Sequence, residues 1–287
     1  MGALVNFIMQ GPFQALAVAG VLGVLSQILL PLALLSNGVI ALCILTWPTR
    51  QWLVVLIGTL VLVIGSSYFV AARPGIDFPL TLLLMAPMWL SAKALAMTES
   101  QSLSVLIAVV CALILALTIQ LVTGDAIQWW AGWLKIAVSG VKNVSFEGFS
   151  LELMNGLMAM MFAVAAVLTV FIGRWLQAVA YNPGGFAREF ARIRFSFSIL
   201  AAMLVVLLVT AVINEHLFKD FILIFTVAYF FQGLSVLHFT ANTLSKGQSY
   251  LWPPYLLLFF FPQFVIVGLA SVGLVDVFLN FRKSGRS

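Results

Sequence analysis

The sequence predicts an all-α, polytopic transmembrane helix bundle, and three observations carry that prediction. Of 287 residues, 63% are hydrophobic and only 8% carry a formal charge, where soluble domains devote roughly a quarter to charge. The apolar residues come in unbroken runs of roughly twenty, the thickness of a hydrocarbon core, and not in the alternating ten-residue pattern of a membrane barrel. Mean hydropathy is +1.15, more apolar surface than a soluble chain of this length can hide behind a polar shell. Lipid offers the backbone no hydrogen-bond partner, so runs of this kind cross as helices. Divided at their breaks, they give about eight or nine spans and one interfacial Trp-rich helix. All belong to a single membrane domain, residues 1–287.

Taken in order, residues 12–46 carry no charge and are too long for one upright helix. Pro31 divides them into short spans near 12–29 and 31–46, or kinks a single segment. Met1 to Phe13 hold no Lys or Arg, so the basic start of a cleavable signal peptide is missing and the first helix is expected to stay attached. A span over 52–72 ends at the turn signal Arg73-Pro74-Gly75. Spans near 78–97 and 102–123 follow, parted by Thr98-Glu99-Ser100. Gly124 to Ser150 is the longest polar stretch. Within it, Ala126 to Val141 carries Trp129, Trp130 and Trp133, with Lys135 and Lys142 close by. That pattern suits a helix lying among headgroups; a ligand-gating loop is the sharper alternative. A span over 152–173 runs on as helix through Arg174 towards Tyr181, where Asn182-Pro183-Gly184-Gly185 stops it. Arg188, Glu189, Arg192 and Arg194 come next, then spans near 195–213, 220–244 and 254–279 and the tail Arg282, Lys283, Arg286.

The 14 Lys and Arg against 9 Asp and Glu give a net charge of +5. These basic residues sit in short loops and at the tail, where anionic headgroups account for them. The bilayer is therefore the expected partner, and nucleic acid is not. The positive-inside rule sends both the arginine segment 174–194 and the tail to the cytoplasm, yet three spans lie between them and put them on opposite sides. The conflict disappears if the last segment, broken at Pro262, is re-entrant.

A polar side chain within a span is costly and faces protein or a cavity. Gln232, Ser235, His238 and Asn242 recur at spacings of three, three and four, within one face of a helix about 120° wide. They either join helices by hydrogen bonds or line a small polar ligand's cavity or a proton path. Asp276, near the end of the last span, either pairs with Arg282 or Lys283 or points inward towards His238. Asn155, at the start of its span, is ambiguous in the same way. Ala15, Ala19 and Gly23 are spaced by four, a small-residue face that lets another helix, or a partner subunit, approach closely. Met154, Met158 and Met161 read as packing, and Cys43 and Cys111 as two separate buried thiols. No cofactor or metal is expected, and no enzyme motif is present: no P-loop, no H-E-x-x-H, no G-x-S-x-G and no pair of aspartates within the spans.

Two stretches carry a resemblance: Tyr181-Asn182-Pro183-Gly184-Gly185-Phe186 with Arg188-Glu189-Phe190, and the C-terminal part from Gly233-Leu234-Ser235-Val236-Leu237-His238 through Gly273-Leu274-Val275-Asp276-Val277-Phe278 to Phe281-Arg282. They resemble the YybS-like bacterial membrane proteins, a family of unknown function that is distantly similar to the substrate-binding S components of energy-coupling-factor transporters. The resemblance implies a multi-pass protein of the bacterial inner membrane. It also implies that Ala15 and Ala19 form an alanine-x-x-x-alanine face docking onto a coupling subunit, with ATPases supplied separately. The spans outnumber the usual six of an S component. Two functions follow as expectations. One is a small-molecule-binding, transport-like protein using Gln232, Ser235, His238 and Asn242 with Asp276 in support. The other is a non-transport scaffold or assembly factor docking other membrane proteins.

Overall fold

The computed structural model describes residues 2–70, 80–137, 149–243 and 247–282, and among these the chain is helical throughout, without a strand. The turn at Arg73-Pro74-Gly75, the end of the Trp-rich stretch with Lys142, and Lys283 and Arg286 lie outside the described residues. The charge-free N-terminal stretch forms α1 (Gly2–Ile8), α2 (Pro12–Leu25) and α3 (Leu32–Thr46). Pro12 opens α2 and Pro31 precedes α3, positions where proline's missing N–H costs nothing. α1 and α2 meet at 115°. Next come α4 (Thr49–Val70), α5 (Leu80–Thr98) and α6 (Gln101–Thr123). The α5–α6 turn is made by Glu99 at φ 53 and by Ser100, whose side chain caps Leu103 N.

The Trp-rich segment folds as α7 (Ala126–Ala137), opened by Gly124 at φ 72 and by Asp125 capping Gln128 N. Trp130 is turned inward while Trp129 and Trp133 are exposed. A single turn, α8 (Phe149–Glu152), leads into α9 (Met154–Tyr181), which ends at the expected Asn-Pro-Gly-Gly, with Gly184 left-handed. After α10 (Gly185–Phe190) come α11 (Phe197–Ile213), α12 (Glu215–Thr243), a 3-10 turn (Gly247–Leu251), α13 (Trp252–Phe260) and α14 (Pro262–Leu279). Among the described residues six helices (α4, α5, α6, α9, α12 and α14) have the length and apolar character to cross a membrane, and up to seven if the bent α1–α2 pair is one span. α3 and α11 are shorter apolar helices.

Two apolar clusters form the core. One joins α2, α3, α4 and α5 around Ile40, Leu42, Val55 and Met88; the other joins α6, α9, α11, α12 and α14 around Phe195, Ile224 and Phe231. α9 contributes to both, through Val170 and Leu176 on one side and Ala163 and Val167 on the other. Where helices approach most closely the residue is glycine. A Cβ on Gly233 would stand 1.8 Å from Leu269 O, and one on Gly273 2.1 Å from Tyr229 O, so only hydrogen fits where α12 and α14 touch.

The last stretch is not the single span 254–279 expected from its hydropathy; α13 and α14 are separate helices broken at Phe261-Pro262. Tyr255 contacts His238, and Leu258 lies with Phe230 and Phe231, so α13 runs back along α12. α14 returns alongside α12, with Asp276 at Gln232 and Arg282 at Ser235. The hairpin brings the start of the tail to the arginine segment: Arg282 donates to Ala191 O and Ile193 O at 3.0 and 2.7 Å. The two basic regions therefore share one end of the bundle.

Candidate functional site

The polar stripe of α12 keeps its one face but meets three different surroundings along it. Over ten residues the helix rises about 15 Å, and its neighbours change on the way. Gln232 and Ser235 face α14 and the connecting segment 191–195; His238 faces α10 and α13; Asn242 lies beyond them.

The first surrounding is a closed ionic knot. Asp276 is fully buried. Its Oδ2 accepts from Arg282 Nη1 at 2.5 Å and from Gln232 Nε2 at 2.8 Å, with Arg194 Nε 3.8 Å away; its Oδ1 accepts from Phe281 N at 3.1 Å. Arg282 spends its remaining donors on Ala191 O, Ile193 O and Ser235 Oγ, so four of its five N–H bonds are used. Gln232 accepts from Phe195 N at 2.9 Å, and Ser235 donates to Ile193 O at 3.1 Å. Asn280, left-handed at φ 48, turns the chain so that Arg282 points back into the bundle. Arg194 donates to Val277 O at 3.0 Å, placing a cation at the C-terminus of α14. The Asp276 carboxylate, the Gln232 amide and the Ser235 hydroxyl all find their partners within the protein itself. Gln232, Ser235 and Asp276 are thus brought together as expected, but as a clamp on α12, α14 and the 191–195 segment, and Asp276 turns to Arg282 and not to His238.

His238 belongs to the second surrounding. A cavity of about 470 Å³ lies between α9, α10, α12 and α13, walled by Leu168, Phe171, Phe186, Phe190, Phe231 and Leu258 among others. His238 Nε2 and Tyr255 Oη, 2.7 Å apart, form the polar pair in that lining. A second hollow of about 490 Å³ continues from it along Trp175, Phe186, Phe190 and His238 towards Pro183 and Gly184. Asn242 lies in the third surrounding, a cleft of about 420 Å³ with Arg188, Arg192, Asn280 and Arg282. Phe186 and Phe190 line the cavity while Arg188 and Arg192 line the cleft, so α10 is the wall between them. The wall is tethered to α9 by Arg174, which donates to Glu189 through Nε at 2.7 Å and again through Nη2. Burial alone pushes the Glu189 carboxyl up, but bonds from Arg174 and Gln101 and the nearby charges of Arg174 and Arg192 outweigh it and hold it below the usual range.

Ala15, Ala19 and Gly23 are buried against the chain's own helices. Ser36 on α3 donates to Ala19 O at 2.7 Å, and a Cβ on Gly23 would meet Val63 and Thr59 of α4. The small-residue face does permit close approach, but its occupants are α3 and α4 and not a partner subunit.

Asp220, at the opposite end of α12 from His238, was hidden in the sequence. It starts its span next to Glu215 and Lys219 and so reads as one more headgroup charge, yet it is 1% exposed. Asn155 Nδ2 donates to its Oδ2 at 2.6 Å and also reaches Ala116 O at 3.3 Å, while Trp130 Nε1 donates to Asn155 Oδ1 at 3.3 Å. The available signal was the pair Asn155 and Trp130, each polar and each at the same end of the bundle.

No family model matches the chain, and no curated protein or solved structure matches it either.

Proposed function

We propose that this chain binds an amphipathic small molecule within the membrane and serves a transport-like role with partner subunits. The apolar part of the ligand fills the cavity between α9, α10, α12 and α13, and its polar group meets His238 and Tyr255. One observation carries this reading: a cavity of about 470 Å³, within the roughly 300–1,000 Å³ of small-molecule sites, with few polar groups in an apolar wall. The amphipathic ligand replaces the small polar one suggested by the stripe alone, because Gln232, Ser235 and Asp276 already spend their hydrogen bonds on each other and on backbone. Asn242 and the arginines of the cleft lie on the far side of α10 and take no part in this site. The resemblance to YybS-like proteins and to S components is part of this proposal, with any coupling subunit docking elsewhere than on Ala15 and Ala19. So is a place in the bacterial inner membrane with the arginine end in the cytoplasm. This reading takes α3, α11 and the bent α1–α2 pair as crossings beside α4, α5, α6, α9 and α12, eight in all, with α13–α14 as a re-entrant hairpin.

A scaffold or assembly role is the rival, favoured by the exposed outer face of α13 and α14, with Phe259, Phe264, Val267 and Phe278. Mass spectrometry of the protein purified in mild detergent separates the two. Binding predicts a stoichiometric amphiphile in the wild type that is lost in Leu258→Trp, which fills the cavity, and weakened in His238→Ala. An empty wild-type cavity together with a reproducible membrane-protein partner would favour the scaffold.

A further inference from the structure

We propose that Asp220 is a proton-binding site inside the bundle: it takes up a proton at mildly acidic pH, where ordinary aspartates are still ionised, and releasing that proton loosens the contact of α12 with α9. This is independent of what occupies the cavity at the other end. The surroundings of the carboxyl carry this. From α9 it meets the Asn155 amide and the backbone of Gly156, where a Cβ would lie 2.7 Å from Asp220 Cα and 2.8 Å from its Oδ1. Asn155 in turn engages Ala116 O of α6 and the Trp130 indole of α7. All of these are neutral.

The charged groups of α8 and of the first turns of α12 pair with one another. Lys219 is held by Glu152 at 3.0 Å and by Glu215 at 2.8 Å. His216 lies one turn back on α12, and its ring Nδ1 is buried without a partner. No Lys, Arg or His nitrogen comes within ion-pair distance of Asp220 among the described residues, and its Oδ1, against the Gly156 backbone, has no side-chain partner there. A carboxylate sealed from water and faced by neutral groups takes up a proton, because a neutral acid with one unmet hydrogen bond costs far less than a bare charge. When the proton leaves, the charge must reach water. The nearest route is the seam between α9 and α12, closed by the Asn155–Asp220 bond and the missing side chain of Gly156. Ionisable groups so placed are the usual material of proton-coupled membrane machinery.

Infrared spectroscopy of the full chain in lipid nanodiscs tests this. The wild type at pH 5 is expected to show the carbonyl stretch of a protonated carboxylic acid. That band should move with 13C-labelled aspartate, disappear as the pH is raised, persist in Asp276→Asn and be absent in Asp220→Asn. If Asp220→Asn does not fold, Asp220→Glu decides, since the band should then answer to 13C-labelled glutamate and not to labelled aspartate. No aspartate-derived acid band at pH 5 overturns the proposal, and so does a band that survives Asp220→Asn.

Discussion

Asp276 and Asp220 are both sealed inside the bundle and both join α12 to a neighbour, but they are solved in opposite ways. Around Asp276 the chain gathers two arginines, an amide and a backbone N–H. Around Asp220 it supplies one amide and leaves an oxygen without a side-chain partner. A buried charge that is fully paired holds parts together and has nothing left for chemistry. A buried acid with spare capacity is free to change state. The difference places structural demand at the arginine end of α12 and responsiveness at the other.

The largest effect expected from breaking this contrast is at the knot. Arg282→Met strands the Asp276 carboxylate in the bundle and should cost about 3–5 kcal/mol, read as a lower unfolding midpoint in detergent. Adding Asp276→Leu should recover most of that loss, since removing both partners is far cheaper than removing one. Next is Gly273→Val, which drives a side chain into Tyr229 O and should cost about 1–3 kcal/mol or more. Gly268→Val, where a Cβ meets open space, is its control and should change stability little. Asn155→Leu removes the only side-chain donor to Asp220 found among the described residues, at about 1–3 kcal/mol. It should also shift the Asp220 infrared band, a change the knot variants should not produce.

The smallest effect is at Glu189. Its carboxyl lies below the ordinary range when folded, so its contribution is complete above the unfolded value and is lost as pH falls through the folded one. Acid should therefore lower the melting temperature of the wild type more than that of Glu189→Gln. The gap should be modest, about 1 kcal/mol or less, because the pair with Arg174 is partly exposed.

Much of this was legible in the residues. Continuous apolar runs require helices in lipid, and Pro31, Pro262 and Asn182-Pro183-Gly184-Gly185 mark where helices stop or turn. The conflict of charge between the arginine segment and the tail pointed to a reversal in the last segment, and the α13–α14 hairpin supplies it. The polar stripe on α12 was also visible. Its division among three surroundings was not, because spacing along one helix says nothing about which neighbour covers each turn. The Ala15, Ala19 and Gly23 face was readable as a close-approach surface, but small residues suit α3 and α4 as well as any other helix. Asp220 escaped because a carboxylate at the start of a span looks the same in sequence whether it meets headgroups or is folded over by Asn155 and Trp130.

The most direct test is a side-by-side unfolding comparison of Asp276→Asn and Asp220→Asn in the same detergent at pH 5. Asparagine mimics a protonated aspartate but cannot balance an arginine. Asp276→Asn should therefore lose about 3–5 kcal/mol by leaving Arg282 and Arg194 uncompensated, while Asp220→Asn should stay within about 1 kcal/mol of the wild type. Equal losses, or a larger loss for Asp220→Asn, would contradict the assignment of a charged clamp at one end of α12 and a neutral acid at the other.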